Sequence, residues 1–175
     1  RNNDNFIFKK RGMSNKTNNP WYYEVQELGY HYRITDIQCA LGLSQLKKIN
    51  KFLSRRRELA INYDLAFENL KNCKPVQNKM RDISSNHLYI LKVNFKKLEK
   101  ARADLMGEFK SVGIQTQVHY IPVTSHPYFR KKNFKKNNLF NAYQYYDSAL
   151  SIPLFYDLTD KEQRYVIEQV KKLIG

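Results

Sequence analysis

Glycine and cysteine are both scarce in this sequence, and their scarcity excludes several kinds of site. Only 6 of the 175 residues are glycine, and they form neither a P-loop nor a dinucleotide-binding fingerprint. The 2 cysteines, Cys39 and Cys73, form no C-x-x-C motif and are too few for a disulfide framework. We therefore expect a reducing compartment, the cytoplasm.

Other catalytic and membrane signals are also missing. The 4 histidines do not stand at metal-ligand spacing, and no serine lies in a G-x-S-x-G elbow. No apolar run is long enough to span a membrane. The first residues, Arg1-Asn2-Asn3-Asp4-Asn5, resemble neither a signal peptide nor an initiator methionine, so we expect the chain to be cut from a longer protein.

Positive charge is what the sequence has in excess. Its 31 lysines and arginines against 16 acidic residues give a net charge of +15, which favours anionic partners such as nucleic acid, phosphorylated small molecules or acidic lipid. For the basic runs, among them 9–11, 55–57 and 130–132, the simpler interpretation is a solvated face. The hydrophobic fraction of 42% is enough for a packed core.

The first half of the chain is predicted to be helical from Thr35 to about Leu70. Thr35 and Gln38 have the spacing of a capping box, which marks a helix start. Apolar residues then recur every three or four positions, and Leu46 belongs to this stripe. The pattern fits either one helix bent near Ser54 or two helices joined end to end.

The second half alternates between strand and helix patterns. Strands are predicted at residues 87–95, 114–120 and 149–155, the last at a sheet edge because it contains Pro153. Helices are predicted at 98–112, at 141–148 and from Thr159 onward, with loops at 76–86 and 124–139. The expected fold is therefore α/β, a small α+β domain with a sheet of about three strands packed by helices and preceded by a long helix.

Two polar segments are candidates for ligand binding. Residues 29–33 crowd rings and cations just before a rigid helix, and residues 115–120 end a predicted strand with amides and an imidazole. The competing interpretations are a plain surface loop and an exposed strand face.

The order of motifs resembles one enzyme family over almost the whole chain. Residues 29–38 read GYHYRITDIQ and are followed by ALG at 40–42, HYIP at 119–122 and SIPL at 151–154. This order resembles the DegT/StrS-type nucleotide-sugar aminotransferases, which are pyridoxal-phosphate (PLP) enzymes of the fold-type-I superfamily. Residues 117–122 and 126–128 are most similar to the branch that acts in pseudaminic-acid biosynthesis.

The resemblance implies an activity and a division of the enzyme. Such enzymes take an amino group from glutamate and pass it to a 4-keto nucleotide sugar, here UDP-linked, and they work as homodimers. The Schiff-base lysine belongs to a larger N-terminal domain, so this chain is expected to lack it and to be inactive alone. Residues 1–33 would then trail from that domain, and 34–175 would form the C-terminal small domain.

The resemblance also implies roles for individual residues, none of them catalytic or metal-binding. Tyr30, His31 and Arg33 match positions that reach cofactor or substrate across the dimer, although His31 stands where the family has Asn. The nucleotide-sugar contacts are expected from Thr116, Gln117, Val118 and His119.

Two alternatives remain open at the level of sequence. A nucleic-acid-binding module would use the basic runs at 9–11 and 130–136, with Tyr128, Phe129 and Phe134 for stacking. A non-catalytic interaction domain would only pair with a partner chain. The aminotransferase interpretation itself expects no nucleic acid and no membrane as partners.

Overall fold

The computed structural model describes residues 25–76, 81–131 and 139–175, together with positions 7, 13, 14, 17, 18 and 23. The chain divides into two units, residues 1–44 and 45–175. In the first unit, β1 (Met13–Ser14) pairs antiparallel with β2 (Thr17–Asn18). The expected domain boundary after residue 33 stays a prediction.

The long helical region consists of two helices, α1 (Asp36–Leu46) and α2 (Ile49–Phe67). The alternative of two helices is therefore confirmed, and the break lies at residues 47–48 rather than near Ser54. The predicted capping box is present: the Thr35 N–H donates to Gln38 Oε1 at 2.9 Å, and the Gln38 N–H donates to Thr35 Oγ1 at 3.3 Å.

The apolar stripe behaves differently in the two helices. No residue of α1 is buried, and Leu46, which belongs to the predicted stripe, is 63% exposed. In α2 the stripe enters the core through Leu59, Ala60, Tyr63 and Phe67. Sequence periodicity marks an apolar face, but the partner that covers it decides whether the face is buried.

One antiparallel sheet of three strands lies in the second unit, in the order β3 (Cys73–Pro75), β4 (Tyr89–Val93) and β5 (Ala149–Ile152). Tyr89 pairs with Ile152, and Cys73 pairs with Val93. The strands predicted at 87–95 and 149–155 are confirmed, as is the edge position of β5. Strand β3 was not predicted.

The strand predicted at 114–120 is wrong. Only Gln117 in this segment pairs with the sheet, through an isolated bridge to Ser151. The next amide is unavailable for pairing because the Val118 N–H donates to the side chain of Gln117 at 3.0 Å. Instead of a strand, the segment is extended backbone held to β5 at one point.

The other helices include the three that were predicted, with shifted bounds, and two short ones that were not. They are α3 (Phe95–Leu98), α4 (Arg102–Ser111), α5 (Pro127–Lys131), α6 (Phe140–Ser148) and α7 (Asp160–Ile174). The helix predicted at 98–112 is α4. The short α3 precedes it, and α5 lies in the segment predicted as a loop at 124–139. Gly113 ends α4 with a φ of 77°, a left-handed conformation that glycine adopts without steric cost. Residues 132–138 of the predicted basic loop lie outside the described residues.

The core lies between the sheet and α2, α4 and α7. It is built mainly from large apolar side chains of these elements: Leu59, Tyr63, Phe67, Leu91, Leu105, Phe109, Leu150, Val170 and Ile174. The expected fold class, a small α+β domain with a three-stranded sheet packed by helices, is confirmed. Among the helices of the described residues, none combines the length and the apolar character needed to cross a membrane.

Candidate functional site

The first candidate segment is exposed throughout. Tyr30, His31, Tyr32 and Arg33 all face solvent just before the Thr35 cap, and the rings of Tyr30 and Tyr32 lie 5.9 Å apart. Arg33 forms no ion pair with any described carboxylate. Its guanidinium, whose planar fork matches phosphate and carboxylate groups, is thus available to an anionic ligand.

The second candidate segment is fixed to the sheet at Gln117. The Gln117 N–H donates to the Ser151 carbonyl at 3.1 Å, and the Ser151 N–H donates back to the Gln117 carbonyl at 2.8 Å. Ile114 anchors the start of the segment in the core. The backbone of residues 114–117 is therefore held in place, while the Gln115 and Gln117 side chains face solvent.

His119 turns toward the sheet instead of pointing away with Gln115 and Gln117. Its Nδ1 lies 2.8 Å from the hydroxyl oxygen of buried Ser151, and the peptide bond that follows it is cis. The exposed Tyr120 ring packs edge-on against the imidazole at 4.6 Å. Because Nδ1 is engaged and Nε2 has no hydrogen bond to a described residue, Nε2 is the nitrogen that can meet a ligand.

Thr116 carries an unsatisfied polar atom. Its Oγ1 is buried and has no hydrogen-bond partner among the described residues. A buried hydroxyl without a partner is unfavourable, and in native structures such a group is nearly always paired with protein, water or a ligand. Thr116 and the Nε2 of His119 therefore give this segment unused hydrogen-bonding capacity.

The structure thus places the predicted residues in two groups. Tyr30, His31 and Arg33 lie in the first unit, and Thr116 to His119 lie together in the second. Sequence reasoning missed Ser151 as a positioning residue. The only signal was its place in the SIPL motif, since a serine in an apolar strand has no spacing that links it to a histidine 32 residues away.

A buried polar cluster was also missed. Arg81 forms two hydrogen bonds to the carboxylate of Asp64, at 2.8 and 2.9 Å, and the Tyr89 hydroxyl donates to the same carboxylate at 2.8 Å. Burial, followed by the hydrogen bond to Asp64, raises the pKa of Tyr89 well above its ordinary value. The cluster ties the start of the 81–86 turn to α2 and β4.

The described residues add little support for a nucleic-acid-binding module or a non-catalytic interaction domain. Arg130 and Lys131 are exposed on α5, but the run at 9–11, Phe134 and the lysines at 132–136 lie outside the described residues. No group of three potential metal ligands occurs in the described part of the chain.

The comparison with known protein families agrees with the motif order. The model of the DegT/DnrJ/EryC1/StrS aminotransferase family matches residues 2–171. The chain belongs to this family.

Two individual relatives have more specific names than the family. A UDP-4-amino-4,6-dideoxy-N-acetyl-β-L-altrosamine transaminase from Campylobacter jejuni is 35% identical over 159 residues, which are 87% of this chain and 42% of that protein. Helicobacter pylori PseC, an aminotransferase of pseudaminic-acid biosynthesis, matches with a TM-score of 0.79 and 29% identity over 96% of this chain and 44% of its own.

The structure of a third relative is described as a PLP form. The putative sugar aminotransferase Spr1654 from Streptococcus pneumoniae, solved in a PLP form, has a TM-score of 0.77 and 31% identity over 87% of this chain and 39% of its own. The chain therefore spans about two fifths of the length of the relatives that it matches.

Proposed function

We propose that this chain is the C-terminal part of a PLP-dependent aminotransferase that transfers an amino group from glutamate to a 4-keto UDP-linked deoxysugar. The observation that carries the proposal is the family match over residues 2–171. The pseudaminic-acid relatives from C. jejuni and H. pylori support the choice of sugar class.

The donors of the first segment fit the anionic groups of the cofactor. His31 and Arg33 would bind its phosphate or the substrate across a homodimer, with Tyr30 beside them. His31 keeps the hydrogen-bonding capacity of the family's Asn, but its charge depends on pH. When bound, PLP supplies the electron sink for amino transfer.

The 116–119 segment would form the wall that contacts the nucleotide sugar. Thr116 Oγ1 would find there the partner that it lacks among the described residues. The Nε2 of His119 would donate to or accept from the sugar or its phosphates, while Ser151 fixes the ring. Gln117 and Val118 would set the distance of these groups from the sheet.

We further propose that residues 34–175 form the small domain and that 1–33 trail from the large one. The relatives are more than twice as long as the matched region, and we assign the cofactor lysine to the part that they have beyond it. The exposed apolar side chains of α1 support packing against that larger domain. Both cysteines are free, which supports a cytoplasmic location.

The test uses the full-length enzyme with PLP, glutamate and a UDP-4-keto sugar. PLP absorbance and glutamate-dependent amination are expected, and the 175-residue chain alone should show neither. His119→Ala should raise KM for the sugar while PLP stays bound, and His87→Ala, an exposed histidine outside the segment, is the matched control. A full-length enzyme without PLP absorbance or amination would contradict the proposal.

A further inference from the structure

A second region of the molecule is a groove lined by positively charged side chains. The groove has a volume of about 770 Å³ and runs between β3, β4, α3 and α6. Asp147 is the one carboxylate among its described lining residues. Five lysines also line it: Lys71, Lys74, Lys92, Lys96 and Lys97.

Two of these lysines face each other across the sheet. Lys74 on β3 pairs directly with Lys92 on β4, and both are exposed while their strand neighbours Cys73 and Val93 are buried. The two ammonium groups therefore extend from the same face of the sheet. Like charges placed directly opposite each other destabilise an antiparallel pair.

The charge of the groove is not neutralised within the described protein. None of the five lysines forms an ion pair with a described carboxylate. Elsewhere the chain does pair its cations, as Arg55 does with Asp160 at 2.7 Å and Arg81 with Asp64 at 2.8 Å. A concentration of cations that outnumbers the nearby carboxylates attracts an anionic ligand.

The walls that carry the lysines are fixed. The Asn94 N–H donates to the Asn72 carbonyl at 2.8 Å, which joins the chain before β3 to the chain after β4. The Asn94 side chain then caps α3 by accepting from the Lys97 N–H at 3.1 Å. A site whose backbone is already ordered loses less entropy when a ligand binds.

An aromatic ring stands at the same groove. Phe140, the first residue of α6, lines it and is 74% exposed. Exposed aromatic rings beside lysines are a common platform for nucleobases. The groove also has the size of small-molecule pockets, which hold about 300–1,000 Å³, rather than that of an extended nucleic-acid channel.

We propose that this groove binds a nucleoside diphosphate, with the lysines on its phosphates and Phe140 against its base. This site goes beyond the proposed function and shares no residue with the 115–120 segment. Its failure would therefore leave the aminotransferase proposal standing.

The test is calorimetric titration of the full chain at low salt with UDP, inorganic pyrophosphate, uridine and a single-stranded oligonucleotide. UDP should bind more tightly than pyrophosphate, because the base adds stacking, and uridine should bind least. The double substitution Lys74→Gln with Lys92→Gln should weaken UDP binding about tenfold. It should also raise the thermal midpoint without ligand, since the cross-strand repulsion is gone.

The matched control is Lys110→Gln with Lys161→Gln, two exposed lysines outside the groove. It removes the same charge and should leave UDP binding within about twofold, as expected for unscreened long-range charge alone. Phe140→Ala should reduce UDP affinity to that of pyrophosphate. Three results would overturn the proposal: equal losses of UDP affinity in the groove double variant and the control double variant, no UDP binding, or tight binding of the oligonucleotide without binding of UDP.

Discussion

The Nδ1 of His119 lies 2.8 Å from the hydroxyl of Ser151, so a strand of the central sheet orients a ring of the candidate site. Ser151 also exchanges both backbone hydrogen bonds with Gln117. One residue of β5 therefore positions the candidate wall through its backbone and its side chain together.

This relationship predicts the effect of Ser151→Ala in the full-length enzyme. The backbone bonds to Gln117 remain, while the imidazole loses its partner and becomes free to rotate. We expect a higher KM for the nucleotide sugar, unchanged PLP absorbance, and a loss of about 1 kcal/mol in the free energy of unfolding. Ser111→Ala removes an exposed hydroxyl on α4 and serves as the control. A KM equal to that of the control would remove Ser151 from any positioning role.

Local patterns in the sequence predict the parts of the fold that depend on neighbours in the chain. The Thr35 capping box is of this kind and is confirmed. The Thr159 capping box and the left-handed Gly113 follow from equally local residue patterns. The buried strands β4 and β5 also carry enough apolar residues to be recognised.

Features that depend on distant contacts were not predictable. Strand β3 has three residues, ends in Pro75 and exists only through its pairing with β4. Because that pairing was missed, so was the groove where Lys74 meets Lys92. Arg81 stands in a polar stretch without periodicity, and its partner Asp64 is on another element.

Truncating an apolar side chain should lower the free energy of unfolding strongly in α2 and only slightly in α1. Phe67→Ala removes a fully buried ring stacked on Tyr63 at 5.5 Å, and should cost about 3–5 kcal/mol in the free energy of unfolding. Leu46→Ala removes an exposed side chain and should cost less than about 0.5 kcal/mol in this chain. Denaturant unfolding measures both, and equal losses would mean that α1 is covered.

The buried cluster predicts a large effect at Arg81. Its side chain is 5% exposed and that of Asp64 is 18% exposed, so Arg81→Met leaves a mostly buried carboxylate without its cation. We expect a loss on the order of 3 kcal/mol, and a smaller loss when Asp64→Leu is added. Asp82→Asn, in an exposed pair at 3.8 Å, should change stability by less than about 0.5 kcal/mol. Chemical denaturation of the three variants would contradict this if Arg81→Met lost no more stability than Asp82→Asn.

The two cysteines should differ in reactivity. Burial raises the pKa of the Cys73 thiol from 9.0 to about 11, so at pH 8 it stays protonated and covered. Cys39 is only half-buried. Iodoacetamide at pH 8 should therefore label Cys39 in the native chain and Cys73 only after unfolding, with mass spectrometry of the peptides as the readout. Labelling of Cys73 at the rate of Cys39 would contradict the burial of Cys73.

The capping box of α7 predicts an acid-sensitive part of the stability. Glu162 accepts from the Thr159 N–H at 2.8 Å and from its hydroxyl at 2.7 Å, and these bonds lower the carboxyl pKa below its ordinary value of 4.5. A lowered pKa in the folded state means that the contribution is complete above pH 4.5 and is lost as pH falls through the folded-state pKa.

Glu162→Gln keeps an acceptor without a titrating charge, so its stability should fall less between pH 5 and pH 3 than that of the native chain. Glu168→Gln, an exposed position on the same helix, should keep the native slope, because no described residue forms an ion pair with Glu168. If Glu162→Gln also kept the native slope in urea unfolding across this range, the cap would contribute nothing that depends on ionisation.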